Sequence, residues 1–365
     1  MKAKMFGRIF FVILLGLFSS CLNANEVKYN YILKNADLMK FDQTLNDTIT
    51  TLTGEVNLIY DDIEFFADNA QIFQKDKIVK LTGNVRAIDD TLEAGAHQAI
   101  YFHKKNELNL QKEAYFIENS KNDTLKYIKA DKINYLRDVK KVEANGSITA
   151  EDFNQNTILV CGKFDYDFKK KYGQARINPI LTFKRKNIVK VLCKQMEFFS
   201  SEKKFTATYD VKIEMKDSYA IAHFLIYFQE EKKAVLVGNP KFYSKTTDAL
   251  ADEFQIFFID ETIDKIYLIK NAKIYFKNES QTEKSNYIFA QKVMFELNDN
   301  KLSYMNAEKV AESLMEKSNK TKEDFNINKL TTNQLEIIFD NEEAIEKIIA
   351  NNDIFGIYKF MPQED

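Results

Sequence analysis

The chain is written in alternation. From Ala67 it runs Ala67-Asp68-Asn69-Ala70-Gln71-Ile72, with the third and fifth residues after the first alanine apolar and polar residues between them. The segment recurs from anchors at Ala36, Ala96, Ala130, Cys161, Cys193, Ala222, Ala251 and Ala290, which makes nine copies at spacings of 29 to 39 residues. The third residue is Met39, Ala70, Ala99, Ile133, Phe164, Met196, Leu225, Phe254 or Val293, and the fifth is Phe41, Ile72, Tyr101, Tyr135, Tyr166, Phe198, Tyr227, Ile256 or Phe295. All eighteen are apolar or aromatic, whereas the second position is polar in seven copies of nine and the fourth in six. A period of two with one constant apolar face predicts a half-buried strand. Recurrence every ~31 residues predicts that the strands stack as a repeat array.

A looser motif falls between the anchors, a small turn-former followed by a β-branched residue or proline: Gly54-Glu55-Val56, Gly83-Asn84-Val85, Gly146-Ser147-Ile148 and Gly238-Asn239-Pro240. Lys112-Glu113-Ala114, Gly173-Gln174-Ala175 and Asn271-Ala272 stand at the matching place as degenerate versions. Glycine takes positive φ without a Cβ clash, so this motif predicts the corner at which the chain passes from one sheet to another. The two apolar faces then close on each other as a sandwich or as a folded-over groove.

The alternation of Leu81-Thr82-Gly83-Asn84-Val85 with Phe65-Phe66-Ala67-Asp68-Asn69-Ala70-Gln71-Ile72 resembles the OstA-like family, as does that of Val237 to Phe242 with Ala249 to Phe257. The likeness spans about residues 30 to 310 and thins between about 142 and 215, where the glycines are displaced and two anchors are cysteine. That family contains the periplasmic lipopolysaccharide-transport protein LptA and the soluble N-terminal part of the outer-membrane LptD. The resemblance implies an all-β, extended β-jellyroll, a folded-over two-sheet array with a continuous hydrophobic groove in which acyl chains slide while the polar head stays outside. The groove wall would then hold Ile72, Tyr101, Ile133, Tyr135, Phe164, Tyr166, Met196, Phe198, Leu225, Tyr227, Phe254, Ile256, Val293 and Phe295. Nine repeats adding at least one strand each, at about 4.8 Å per strand, give a groove on the order of 40 Å or more. The partners so implied are lipopolysaccharide or another envelope glycolipid, and other OstA-like Lpt components on the inner-membrane exporter side and at an LptD-like outer-membrane protein, met by edge-strand pairing. No catalysis is implied.

The first 24 residues read as a targeting segment. Lys2, Lys4 and Arg8 precede an apolar run from Ile9 to Phe18 and then Ser19 and Ser20, the order of a secretory signal. The run is too short for an ordinary membrane-spanning helix. Two processing outcomes are open: cleavage after Ala24 gives a soluble periplasmic protein, and Phe18-Ser19-Ser20-Cys21 resembles a relaxed lipobox that would anchor the chain through lipidated Cys21. Residues 25–308 are then the repeat domain. After Tyr304 the pattern changes, and residues 309–365 predict a helical cap or docking tail, with one helix over Ala307 to Lys317 and another over Asn333 to Ala350.

Charge and chemistry narrow the function by what they lack. Removing the three positive charges of the leader takes the formal net charge from −2 to about −5, which gives no electrostatic case for nucleic acid. His97, His103 and His223 are the only histidines, and His97 and His223 occupy the repeat position that Asp37, Asp68, Asp131 and Asp252 fill in other copies. These aspartates therefore predict corner hydrogen bonding. No phosphate loop, nucleophile elbow or metal-ligand pair appears, so catalytic residues, metal and cofactor are all absent from the reading. Cys161 and Cys193 replace alanine at adjacent anchors and read as small packing residues, with a disulfide as the other possibility. Two further architectures are open on the residues alone: an outer-membrane β-barrel, whose strands also alternate, and a β-solenoid structural or adhesin protein with a filled core.

Overall fold

The computed structural model describes residues 31–45, 47–90, 92–118, 126–152, 156–184, 188–259, 262–277, 286–298, 301–318, 325–343 and 345–360. The expected targeting segment, with Cys21 and Ala24, lies outside them. The elements are strands throughout, apart from one 3-10 turn at His103–Lys105.

The strands follow one antiparallel meander. Thr48–Tyr60 pairs with Ile63–Phe73, that strand with Ile78–Ile88, and the ladder continues strand by strand to the C-terminal end. A break at mid-strand turns the meander into two layers. The pairing of Thr48–Tyr60 runs to Thr53, skips Gly54 and Glu55 and resumes at Val56, and the following strands shift register at the matching place. Extra unpaired residues bend a strand. In Ile63–Phe73, Ile63, Phe65 and Ala67 are buried before the bend, and Ala70 and Ile72 after it. Both halves of the strand therefore turn their apolar residues into one interior, and the sheet is folded over along the line of bends.

Two rows of corners build the fold line. In one row the backbone is left-handed, at Gly54 (φ 81°), Gly83 (φ 75°), Gly146 (φ 87°) and Gly238 (φ 79°), or at residue pairs such as Lys112-Glu113, Ile177-Asn178 and Lys270-Asn271. In the other row stand the anchors with the Asp or His that follows them. A Cβ on Gly83 would lie 2.1 Å from Asp68 Oδ2, so the absent side chain is where the aspartate sits. Asn84 then donates to Asp68 at 3.1 Å, the Ser147 N–H to Asp131 at 3.0 Å, and Asn271 to Asp252 at 3.0 Å. The Asp of one strand thus secures the left-handed corner of the next. Gly173 departs from the expectation: it lies within the strand Tyr172–Arg176, and the corner comes later, at Ile177-Asn178.

The tail corrects a larger expectation, because residues 309–365 form no helix among those described. Ala307 to Lys317 belong to the strand Lys301–Ser318, and Asn333 to Ala350 to the strands Phe325–Phe339 and Ile345–Asn351, before a last strand Phe355–Phe360. A tenth copy of the repeat runs from Thr332, whose third and fifth followers, Leu335 and Ile337, are buried. It escapes the pattern because its anchor is threonine, and because Ile338, Ile348 and Ile349 fall by coincidence at helical spacing; Ile348 is in fact exposed. Among the described residues the array therefore runs on as strands to Phe360.

Cys161 and Cys193 are free thiols in the structure. Their anchors are separated by two strand spacings, about 10 Å, which exceeds the span of a disulfide. Burial pushes both thiols up to about 11.

Candidate functional site

The interior between the folded halves is where the sequence pattern concentrates its aromatic residues. The fourteen expected wall residues all turn toward it. Ten are buried, and Tyr166, Phe198, Tyr227 and Ile256 are half-buried. Met39 and Phe41, the first copy of the same pattern, are exposed because they lie on the edge strand Leu38–Gln43, which among the described residues has a neighbour on one side only. The apolar face is thus internal and the outward positions are mixed, the reverse of a membrane barrel.

Rings contributed by both halves meet in this interior. Tyr135 packs on Phe116 (centroids 5.3 Å apart), Phe116 on Phe168 (5.9 Å), Phe168 on Tyr166 (4.9 Å), Tyr166 on Phe164 (6.4 Å) and Phe164 on Phe198 (6.4 Å). The ladder continues through Phe205 (6.2 Å) and Tyr227 (5.4 Å) to Phe258 (6.2 Å), with Phe183 joining from the facing half at 6.0 Å. Such spacings are those of favourable aromatic pairs. The fixed offset from the anchor missed Phe116, Phe168, Phe183, Phe205 and Phe258. Phe116 and Phe183 belong to the opposite half and were signalled by a second alternation in phase with the corner row; Phe168 and Phe258 lie at hairpin ends, and Phe205 lies on the intervening strand of the same half, opposite both Phe198 and Tyr227.

The hairpins lie on two rims that face each other across the mouth of the fold. At one place charged side chains join the rims. The Arg137 guanidinium, from the turn after Lys126–Leu136, donates to both oxygens of Asp62 at 2.9 Å and to Asp89 at 3.2 Å, and both aspartates stand on the opposite rim. It also donates to Asn106 Oδ1 at 3.0 Å on its own rim. Beside it, His103 Nδ1 lies 2.6 Å from Asp61 Oδ2, and the Tyr101 hydroxyl donates to the same oxygen at 3.1 Å. Burial alone would lower the affinity of Arg137 for its proton, but the hydrogen bond and charge of Asp62, with the charge of Asp89, hold it above the ordinary arginine value. The hydrogen bond from Arg137 in turn holds Asp62 below the usual carboxylate range. Tyr101 is raised, first by burial and then by the charge of Asp61. Tyr101 belongs to the repeat pattern, but no periodicity marks Asp61, Asp62, Asp89, His103, Asn106 or Arg137, which lie in or beside the hairpin turns.

Residues 35–141 match the family described as LptA/(LptD N-terminal domain) LPS transport protein. The match agrees with the likeness to the OstA-like, LptA family over the first repeats, and the matched stretch contains both sides of the rim junction. The later repeats, outside the match, keep the same fold line. Among solved structures, the chain is similar to LptH, described as the LptA-homologous periplasmic component of the conserved lipopolysaccharide transport device of Pseudomonas aeruginosa. The identity is 15%, the TM-score 0.30, and the alignment covers 32% of this chain and 82% of LptH. No curated protein matches the chain.

Proposed function

We propose that the chain is a non-catalytic periplasmic lipid-transfer bridge, carrying lipopolysaccharide or a related envelope glycolipid toward the outer membrane through the interior of its folded sheet. The observation that carries this reading is the aromatic ladder from Tyr135 to Phe258, whose rings at Tyr166, Phe183, Phe198, Tyr227 and Phe258 remain half-buried at the mouth. A core evolved only for packing would close over such rings, because each half-exposed aromatic forgoes part of its burial free energy. The family matched by residues 35–141 supports the cargo class. A leader ending at Ala24 or at a lipidated Cys21 would place the chain in the periplasm, free or membrane-anchored.

The N-terminal edge of the array suits assembly with other OstA-like proteins. There, among the described residues, Tyr31–Asn35 and Leu38–Gln43 pair only with Thr48–Tyr60, and Ile32, Leu38 and Phe41 are exposed. An open apolar edge is a template for another strand.

A photo-crosslinking residue at Tyr166, Phe198 or Tyr227 should capture lipid, whereas one at Lys163 or Gln195, three residues back along the strand from Tyr166 and Phe198, should not, because an odd number of steps reverses the face. Equal capture from both faces, or capture from neither, would overturn the reading.

A further inference from the structure

The rim junction and the half-buried rings lie in different parts of the mouth. Around residues 48–150 the interior is sealed: Leu58 and Phe65 are 0% exposed, Tyr101 1% and Phe116 2%. The Arg137 junction spans the mouth over this same stretch, and a polar cleft of about 590 Å³ lies above it. Between residues 157 and 276 the described ion pairs join groups within one half of the sheet or at the fold line, as Lys203 with Glu230, Arg176 with Asp165 and Lys194 with Asp210 do. None of those described crosses the mouth there.

We infer that Arg137, gripping Asp62 and Asp89 from the opposite rim with the His103–Asp61 contact beside it, is a latch that closes the mouth and confines lipid to the segment 157–276. Lipid enters and leaves that segment sideways through its open mouth. Passage toward the N-terminal edge requires the two rims to part at Arg137. The grip suits a reversible closure, since Arg137 is bidentate on Asp62, which is 71% exposed, so water can take over the carboxylate when the rims separate. The latch holds whatever fills the interior; its role in confining lipid rests on the transfer function proposed above.

Two readouts keep these claims apart. Spin labels at Asp90 and Lys104, exposed residues on opposite rims, report the width of the mouth in a Cys21→Ser chain. An azidophenylalanine at Phe65 or at Phe198 reports lipid, with rough-chemotype lipopolysaccharide as the probe. The unaltered latch should give one short, narrow distance, with capture at Phe198 at least ten times that at Phe65. Asp62→Asn removes a largely exposed charge while keeping the shape, and Arg137→Ala removes the grip. Either variant should broaden the distance to longer values and raise capture at Phe65 several-fold. A distance unchanged in both variants overturns the latch. Equal capture at Phe65 and Phe198 before any substitution overturns the confinement. Opened rims without capture at either position would leave the latch standing and overturn both the confinement and the transfer function.

Discussion

The fifth residue of the repeat has the same chemistry in two regions and a different fate in each. Tyr101 and Tyr135 are buried, while Tyr166, Phe198 and Tyr227 are half-buried, although all five follow their anchors by the same offset and lean toward the same interior. Nothing local separates them; the facing rim does. Over Tyr101 the opposite half supplies Tyr60 and Phe65, with centroids at 5.8 and 5.6 Å, and the latch draws the rims together. Over Tyr227 the facing half supplies Phe183, itself half-buried, at 6.1 Å. One repeat can therefore serve as sealed core or as open wall, depending on how closely the second layer approaches.

The strongest way to break that comparison is to remove a ring from each region. Phe65→Ala should cost about 3–5 kcal/mol, because the cavity left in a sealed interior collapses only in part. Phe198→Ala, which removes a half-buried ring, should cost about half as much. Repeat arrays need not unfold as one unit, so segment-resolved hydrogen exchange is the measurement of choice. Equal costs would mean that both regions are ordinary filled core.

The latch comes next in size. Arg137→Ala takes the cation from Asp89, whose side chain is 9% exposed, and should destabilise the first repeats by about 2–3 kcal/mol, less than a fully buried pair because Asp62 is wet. Acid should mimic the loss. Asp62 is held below its unfolded value, so its contribution is complete above an unfolded pKa of about 3.9 and disappears as the pH falls through the lower folded value. Exchange protection of residues 48–150 should fall below about pH 4 in the unaltered chain and be much less acid-sensitive in Arg137→Ala.

The two regions also differ in how far the sequence exposed them. The strand, its face and the fold line were legible from Ala67 and Gly83, because stacking forces every copy to repeat the same corner chemistry. The latch was not, because Arg137, Asp62 and Asp89 sit in hairpins that the repeat does not constrain and meet only once the sheet has folded over. The tail misled for a related reason: Thr332 replaces the alanine anchor, and its hydroxyl donates to the Asn351 carbonyl at 2.8 Å, a partner that no local pattern reveals. Half-exposure of Tyr166 and Phe198 was equally hidden, since alternation states which face a side chain takes and not how closely the facing layer approaches.

A smaller effect tests what the regions share. Gly83 belongs to the latched stretch and Gly238 to the open one, yet both stand at φ near 75–79°, with Asp68 or His223 where a Cβ would go. Gly83→Ala and Gly238→Ala should each cost about 1–2 kcal/mol, from the left-handed backbone and from displacing that neighbour. Similar losses in thermal unfolding would place the difference between the regions at the mouth; a loss at Gly83 alone would extend it to the fold line.

The smallest signal reads how deep the opening reaches. Cys161 and Cys193 lie in the open region, but at its fold line, where they are 5% and 7% exposed and burial holds their thiols near 11. Only the thiolate attacks a disulfide reagent, and at pH 8 a group titrating near 11 is thiolate about one part in a thousand. In a Cys21→Ser chain, an aromatic disulfide reagent at that pH should therefore label neither cysteine until denaturant unfolds the middle repeats, after which both should react within seconds to minutes. Rapid labelling of the native chain would show that the gap at Phe198 and Tyr227 extends to the floor, and that the middle segment is splayed along its whole depth. Protected thiols beneath lipid-accessible rings would fix the open region as a shallow trough on the same closed hinge that the latched region uses.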